Sequence, residues 1–253
     1  MSQQSQTSTA TQLTLTAIST ALVSVATMVF SIYVPKTEGF FNIGETMIYV
    51  TAMLFGPLTG AFAGGVGSMI ADILLGYPHF APATLAIKAC EGGVVGILAR
   101  KTPKFSSKAL WRSFTFVVGL VSGALLGSIG SLYYSGDVEL YLGIPPPSIP
   151  NLTFFVPSAF WYLLGALVVF LVTAAGFVLE PEFGWQIFAM FIGGSVMVSG
   201  YFLYEQFLLF PLFNVPAVAI AELPVNIGQM VVGMIISLPI VRIVRRSLPE
   251  IKG

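Results

Sequence analysis

One cysteine, one histidine and a charged fraction of only 9% limit what this 253-residue chain can do. With a single cysteine, Cys90, an internal disulfide and any cysteine-based metal cluster are excluded. The single histidine, His79, stands in a loop sequence without metal-ligand spacing, and no His-Glu-x-x-His occurs. No G-x-x-x-x-G-K-S/T is present, so the chain does not hydrolyse ATP through a P-loop. Eleven basic residues balance eleven acidic ones, and net charge points to no nucleic-acid partner. A soluble domain carries about 25% charged residues. A solvated surface cannot be built from 9%.

What the chain has instead is 56% hydrophobic residues and a mean hydropathy of +0.89. It reads as an all-α integral membrane protein, because its apolar runs are long and unbroken rather than alternating as in a β-barrel. The runs fall at about 13–34, 46–75, 81–99, 112–134, 159–179, 186–210 and 217–241. The second is too long for one span and is interrupted by Phe55-Gly-Pro-Leu-Thr-Gly60. Pro57 and the flanking glycines predict a short helix over 44–56 and a longer one over 58–76, about eight helices in all. Residues 1–12 read as a disordered tail without the basic start of a signal peptide, 13–246 as one transmembrane domain, and 247–253 as a second tail.

Orientation follows the basic residues. Arg100, Lys101, Lys104, Lys108 and Arg112 crowd one loop, and Arg242, Arg245, Arg246 and Lys252 crowd the C-terminus. Four spans separate the clusters, which places both on one side, the cytoplasm, with both termini. The loop 135–158 has Asp137 and Glu139 but no lysine or arginine, as an external loop should. Its Ile144-Pro-Pro-Pro-Ser-Ile-Pro150 predicts an extended, polyproline-like connector.

An ionisable residue inside a span is a candidate functional residue. This topology brings Glu45, Asp72, Lys88, Glu91, Glu205, Glu222 and Asn226 towards the external half of the bundle, with Gln229 deeper. The arrangement describes a pocket open to the outside rather than a conduit. Tyr77 and His79, in Gly76-Tyr-Pro-His-Phe-Ala-Pro82, would lie over it, and Tyr204 adjoins Glu205. Lys88 and Glu91 share one helix face at i, i+3. They either neutralise each other and neighbouring carboxylates, or at least one faces a ligand. An acidic, amide-rich pocket including Asn42 suits a neutral or weakly cationic molecule. Small residues recur at four-residue spacing, Gly60 and Gly64, Gly92 and Gly96, and Gly119, Gly123 and Gly127, which lets helices approach closely.

Two blocks resemble the substrate-binding S components of energy-coupling-factor (ECF) vitamin importers, in particular the riboflavin-type branch. The first, Phe41 to Leu98, has a short helix, a Gly-Pro break, a Gly-rich helix ending in Asp, then Gly-Tyr and a Lys-x-x-Glu-Gly helix. The second is Ala221 to Arg246. The resemblance implies a six-helix core, with 110–180 as an inserted transmembrane hairpin. It implies a vitamin-binding, non-enzymatic subunit of the cell membrane, with riboflavin as the leading ligand. It implies a membrane T component docked on Ala17 and Ala21, and two cytoplasmic ATPases that use the ATP, this chain holding no cofactor or metal. Carried over by position, Asn42, Glu45, Lys88, Glu91, Glu222 and Asn226 are the first candidates for ligand contact. Asp72, Tyr77, His79, Tyr204, Glu205 and Gln229 come second. A proton- or sodium-coupled secondary transporter is the alternative, though such folds tend to show paired broken helices and only one broken segment occurs here. An intramembrane enzyme is a third class, for which the sequence offers no recognisable nucleophile or metal set.

Overall fold

The structure, a computed structural model, describes residues 9–101, 107–143, 147–178 and 181–247. Helix α1 covers Thr9–Val29, α2 Glu45–Phe55, α3 Pro57–Leu75 and α4 Ala81–Ala99. These are followed by α5 at Lys108–Tyr133, α6 at Ser158–Val178, α7 at Pro181–Tyr204 and α8 at Ala219–Ser247. Helix α7 runs on through a π-helical turn, Glu205–Leu209, to Phe213. Among the described residues, seven helical segments are long and apolar enough to cross a membrane, and Glu45–Phe55 is a shorter apolar helix. The chain is an all-α integral membrane protein.

The break between α2 and α3 is a reversal. Gly56 has φ +88°, a region that residues with a Cβ rarely enter, and the Arg100 guanidinium fills the space where a Cβ would stand. Pro57 then begins α3, where its missing N–H costs nothing. Helix α3 folds back along α2, with Gly60 against Ala52 and Gly64 against Ile48. The same glycines bring α3 onto α4 backbone to backbone, Gly60 against Gly92 and Gly64 against the Lys88 carbonyl. Helices α7 and α8 complete the core through Gly193 on Val95 and Gly233 on Glu45 and Tyr49.

Arg100 and Arg245, one from each basic cluster, lie at one end of this bundle. Arg100 Nη2 donates to the Phe55 carbonyl at 3.2 Å, and Arg245 Nη2 to the Met53 carbonyl at 2.9 Å. These are last-turn carbonyls of α2, which lack helical partners and carry the negative end of the helix dipole. Helix α1 runs away from this end, so the first and last described residues both lie there.

A four-stranded antiparallel sheet of order β2-β1-β3-β4 stands at the opposite end. Its strands are β1, Ser31–Val34; β2, Gly39–Asn42; β3, Gly136–Leu142; and β4, Leu152–Val156. This corrects one expectation. The first apolar run is not helical to residue 34: α1 stops at Val29, and Ser31-Ile-Tyr-Val34 pairs with Gly39-Phe-Phe-Asn42 around a turn with Glu38 at φ +54°. The loop 135–158 carries a β-hairpin on either side of its proline run, the strands in register from Gly136↔Val156 to Leu140↔Leu152. Residues 144–146 of its proline run lie outside the described residues. Helix α1 also begins at Thr9, earlier than the expected end of the tail at 12, while residues 1–8 and 248–253 lie outside the described residues.

Helix α6 packs almost wholly on α5, glycine to glycine at Gly123 and Gly165, and α5 in turn packs on α8. The α5–α6 pair is thus a flank on a compact core of α1–α4, α7 and α8.

Candidate ligand-binding site

Helix α4 turns Thr84, Lys88 and Glu91 to one face, spaced i, i+4 and i, i+3. Helix α2 presents Glu45 and Tyr49 to that face at i, i+4. The Lys88 ammonium pairs with Glu45 Oε1 and, at 3.2 Å, with Glu91 Oε2. Tyr49 donates its hydroxyl to Glu91 Oε1 at 3.0 Å. Glu45, Tyr49 and Glu91 have no exposed surface, and Lys88 has 4%. This network knits α2 to α4 and makes the burial of three charges tolerable. Lys88 also stands 5.5 Å from the centre of the Tyr201 ring.

Between the network and the sheet lies a polar cavity. Of the residues predicted from sequence, Asn42, Asp72, Lys88, Glu222, Asn226 and Gln229 line it. Thr27, Phe40, Ser68, Phe80, Thr84 and Tyr201 line it as well. The atom-free space, counting the mouth, is about 450 Å³, of which only about 40 Å³ is open to the centre of a water molecule. The cavity is a partly open space of small-molecule size.

Its polar groups are held in order. The Asn42 N–H donates to Gln229 Oε1 at 3.2 Å, the Gly44 N–H to Asn42 Oδ1 at 2.8 Å, and Gln229 Nε2 to Asn226 Oδ1 at 2.8 Å. Thr84 and Tyr201 share a hydrogen bond of 2.9 Å. Asn226 Nδ2, Glu222 Oε2 and Asp72 Oδ2 are buried without a hydrogen-bond partner among the described residues. Leaving such a group unpaired costs about 1–3 kcal/mol. Three unpaired atoms on one cavity, one from α3 and two a turn apart on α8, describe a site organised for a ligand with both donors and acceptors.

The other predicted residues stand around the cavity rather than on its wall. Glu45 and Glu91 lie beneath it, in the Lys88 network. Tyr77 packs on Phe40, ring centres 4.9 Å apart, and on Tyr33. Tyr204 donates its hydroxyl to the His79 carbonyl, fixing α7 to the α3–α4 loop. Glu205 is buried on the π-helical turn beside Glu222. In the α3–α4 loop, burial pushes the Tyr77 phenol up to about 12, with Glu38 and Asp72 adding to the shift. Burial lowers the His79 imidazole from its usual value, against an opposing pull from Glu38. Ala17 and Ala21 belong to a different surface, the exposed face of α1, while its other face sends Ser24 Oγ to the Gly67 carbonyl at 2.5 Å.

Ser68 and Thr84 could have been found from sequence, since each stands four residues before a flagged residue, Asp72 and Lys88. Thr27 and Phe40 carried no such signal, because only the turn into the sheet brings them over the cavity.

The profile of the family "ECF-type riboflavin transporter, S component" matches residues 7–142. The chain belongs to that family. Its members are transporter components, so this chain is a vitamin-binding transporter subunit that crosses the membrane several times. A protein of Pyrococcus woesei, named "Uncharacterized protein in gap 3'region", is 41% identical over 129 residues, or 48% of this chain and 86% of that protein. The family match takes in α1 to α5 and β3, and with them Asn42, Asp72, Lys88 and the Glu45–Glu91 network. It reaches into α5, half of the pair read from sequence as an insertion. The second resembling block, Ala221 to Arg246, with Glu222, Asn226 and Gln229, lies beyond it.

Proposed function

We propose that this S component captures riboflavin, or a flavin close to it, from outside the cell and delivers it to an ATP-driven importer. The observation that carries this reading is the polar cavity, with Asn226 Nδ2 as an unpaired donor and Glu222 Oε2 and Asp72 Oδ2 as unpaired acceptors. A flavin presents imide and ring-nitrogen edges to amides and hydroxyl groups to carboxylates. Phe40, Phe80 and Tyr201 supply apolar and aromatic surface beside them. Asn42, Asp72, Glu222, Asn226 and Gln229 are the proposed ligand contacts, with Lys88 at the floor held by Glu45 and Glu91. Tyr77, His79, Tyr204 and Glu205 act one layer out, by positioning Phe40 and the loop above it.

The clustering of Arg100 and Arg245 at one end supports a cytoplasmic assignment for that end and for both termini. The sheet then faces outward, and Phe40 and Asn42 on β2 must move for a flavin to enter a space this narrow. The exposed α1 face with Ala17 and Ala21 is the proposed seat of a membrane T component, and two ATPase subunits would use the ATP. The chain itself carries no cofactor and performs no chemistry in this reading.

The test is titration of the purified protein with riboflavin, followed by quenching of flavin fluorescence. Saturable one-to-one quenching is expected, and Glu222→Gln should weaken it by about 10- to 100-fold, since hydrogen bonds to charged groups are worth about 1.5–3 kcal/mol. Absence of quenching together with absence of thermal stabilisation by riboflavin overturns the flavin assignment.

A further inference from the structure

The β3–β4 hairpin is amphipathic in a way the cavity does not use. Side chains alternate across a strand, and directly paired residues of neighbouring strands share a face. Val138, Leu140 and Leu142 on β3 therefore share a face with Leu152 and Phe154 on β4, through the pairs Val138↔Phe154 and Leu140↔Leu152. The opposite face carries Asp137, Glu139 and Thr153, with Tyr141 along β3 and Phe155, 69% exposed, opposite Asp137 at the base of the hairpin. Ile32 of β1 extends the apolar face through its pairing with Leu142.

Much of this apolar face is open: Leu142, Leu152 and Phe154 are 46%, 54% and 43% exposed and Val138 and Leu140 are half-buried, while Val156 at its base is buried. Its location says what covers it. Two residues link α5 to β3, and Pro157 alone links β4 to α6. Two residues span at most about 7 Å, so the base of the hairpin is pinned at the ends of two membrane helices. The apolar face continues into their lipid-facing side chains, Leu132 on α5 and Phe160 and Leu163 on α6. No lysine or arginine lies between Arg112 and Arg242, and the hairpin's charges, Asp137 and Glu139, are both on the other face.

We propose that the β3–β4 hairpin is an anchor in the bilayer interface, its Val138–Leu140–Leu142–Leu152–Phe154 face resting on lipid and its Asp137–Glu139–Thr153 face in water. An amphipathic surface at this depth gains from each apolar side chain it removes from water. The anchor also holds the cavity wall. Strand β1 pairs with β3, and Lys36 donates to the Tyr133 carbonyl, so the β1–β2 hairpin bearing Phe40 and Asn42 is tied to a lipid-seated element.

The lone cysteine makes a direct test practical. In a Cys90→Ser background, single cysteines at Leu152, Phe154, Thr153 and Glu139 are nitroxide-labelled and reconstituted into phosphatidylcholine–phosphatidylglycerol vesicles. Spin-label collision with oxygen is then compared with collision with a water-soluble nickel complex. The expected result is preferential contact with oxygen at 152 and 154 and with nickel at 153 and 139. Nickel preference at all four positions overturns the proposal, as does protection from both agents at 152 and 154, which would mean a protein-covered face. Two positions per face keep the comparison intact if one labelled variant does not fold, with folding judged by elution volume and thermal midpoint in detergent.

Discussion

The helix pairs α3–α4 and α5–α6 are built with the same device and differ in what they carry. In each, glycines bring two backbones into contact: Gly60 against Gly92 in the first, Gly123 against Gly165 in the second. In α3–α4 this close approach surrounds Ser68, Asp72, Thr84, Lys88 and Glu91, all buried, and all but Glu91 line the cavity. In α5–α6 no Asp, Glu, Lys, Arg or His lies beyond Arg112, which sits near the start of α5 over the Phe177 ring. Small residues alone therefore indicate only that two helices touch. The buried charges among them mark the pair that serves the ligand.

The comparison breaks most severely at Lys88. Lys88→Met leaves Glu45 and Glu91 buried without their cation, and removing one partner of a buried pair costs about 3–5 kcal/mol. A large drop in the thermal midpoint in detergent is expected. Adding Glu45→Gln and Glu91→Gln to the same chain should recover most of it, because the stranded charges are then gone. An unchanged midpoint in the single variant would mean that the network does not hold α2 to α4.

A smaller effect is expected in the other pair. A Cβ at Gly123 would meet the Gly165 carbonyl and Val169, so Gly123→Val should cost about 1–3 kcal/mol by overpacking. Because this contact lies away from the cavity, ligand affinity should stay within about twofold of the parent. Isothermal titration beside a melting curve separates the two effects. A large loss of affinity would show that α5–α6 shapes the site, and the contrast drawn above would fall.

The two pairs also differ in how plainly the sequence announced them. The Gly56-Pro57 break was legible because both residues restrict the backbone locally, and the Lys88–Glu91 spacing because charge in an apolar run is costly. The partner of Lys88 from α2 was legible only as a residue at similar depth. That Glu45 takes the closest position, and that Tyr49 closes on Glu91, depends on α3 folding back along α2. The sheet was obscured for two reasons. Ser31-Ile-Tyr-Val34 continues the apolar run of α1 without a break in hydropathy, and its partner strand is equally short. The alternation in Asp137-Val-Glu-Leu-Tyr-Leu142 was visible, but the proline run after it separates that strand from its partner, Leu152–Val156. Nothing in the sequence distinguishes the π-helical turn at Glu205, since Glu-Gln-Phe-Leu-Leu suits an ordinary helix equally well.

The smallest expected effect sharpens the contrast at the loop joining α3 to α4. His79 Nε2 is buried without a hydrogen-bond partner among the described residues, and burial lowers its pKa below the unfolded value. Between the two values the unfolded chain binds more protons, so stability rises with pH there. The contribution is full above the unfolded pKa and is lost as pH falls through the lowered folded value. Glu38 opposes the shift, and Tyr77, with its phenol pushed up to about 12, stays neutral throughout that window. Melting curves of the parent should therefore decline slightly on acidification below the ordinary histidine range, and His79→Phe should flatten that component. The same acidification leaves α5–α6 without a histidine to respond. A decline that persists unchanged in His79→Phe would place the acid sensitivity in the buried carboxylates of the site rather than in the loop above it.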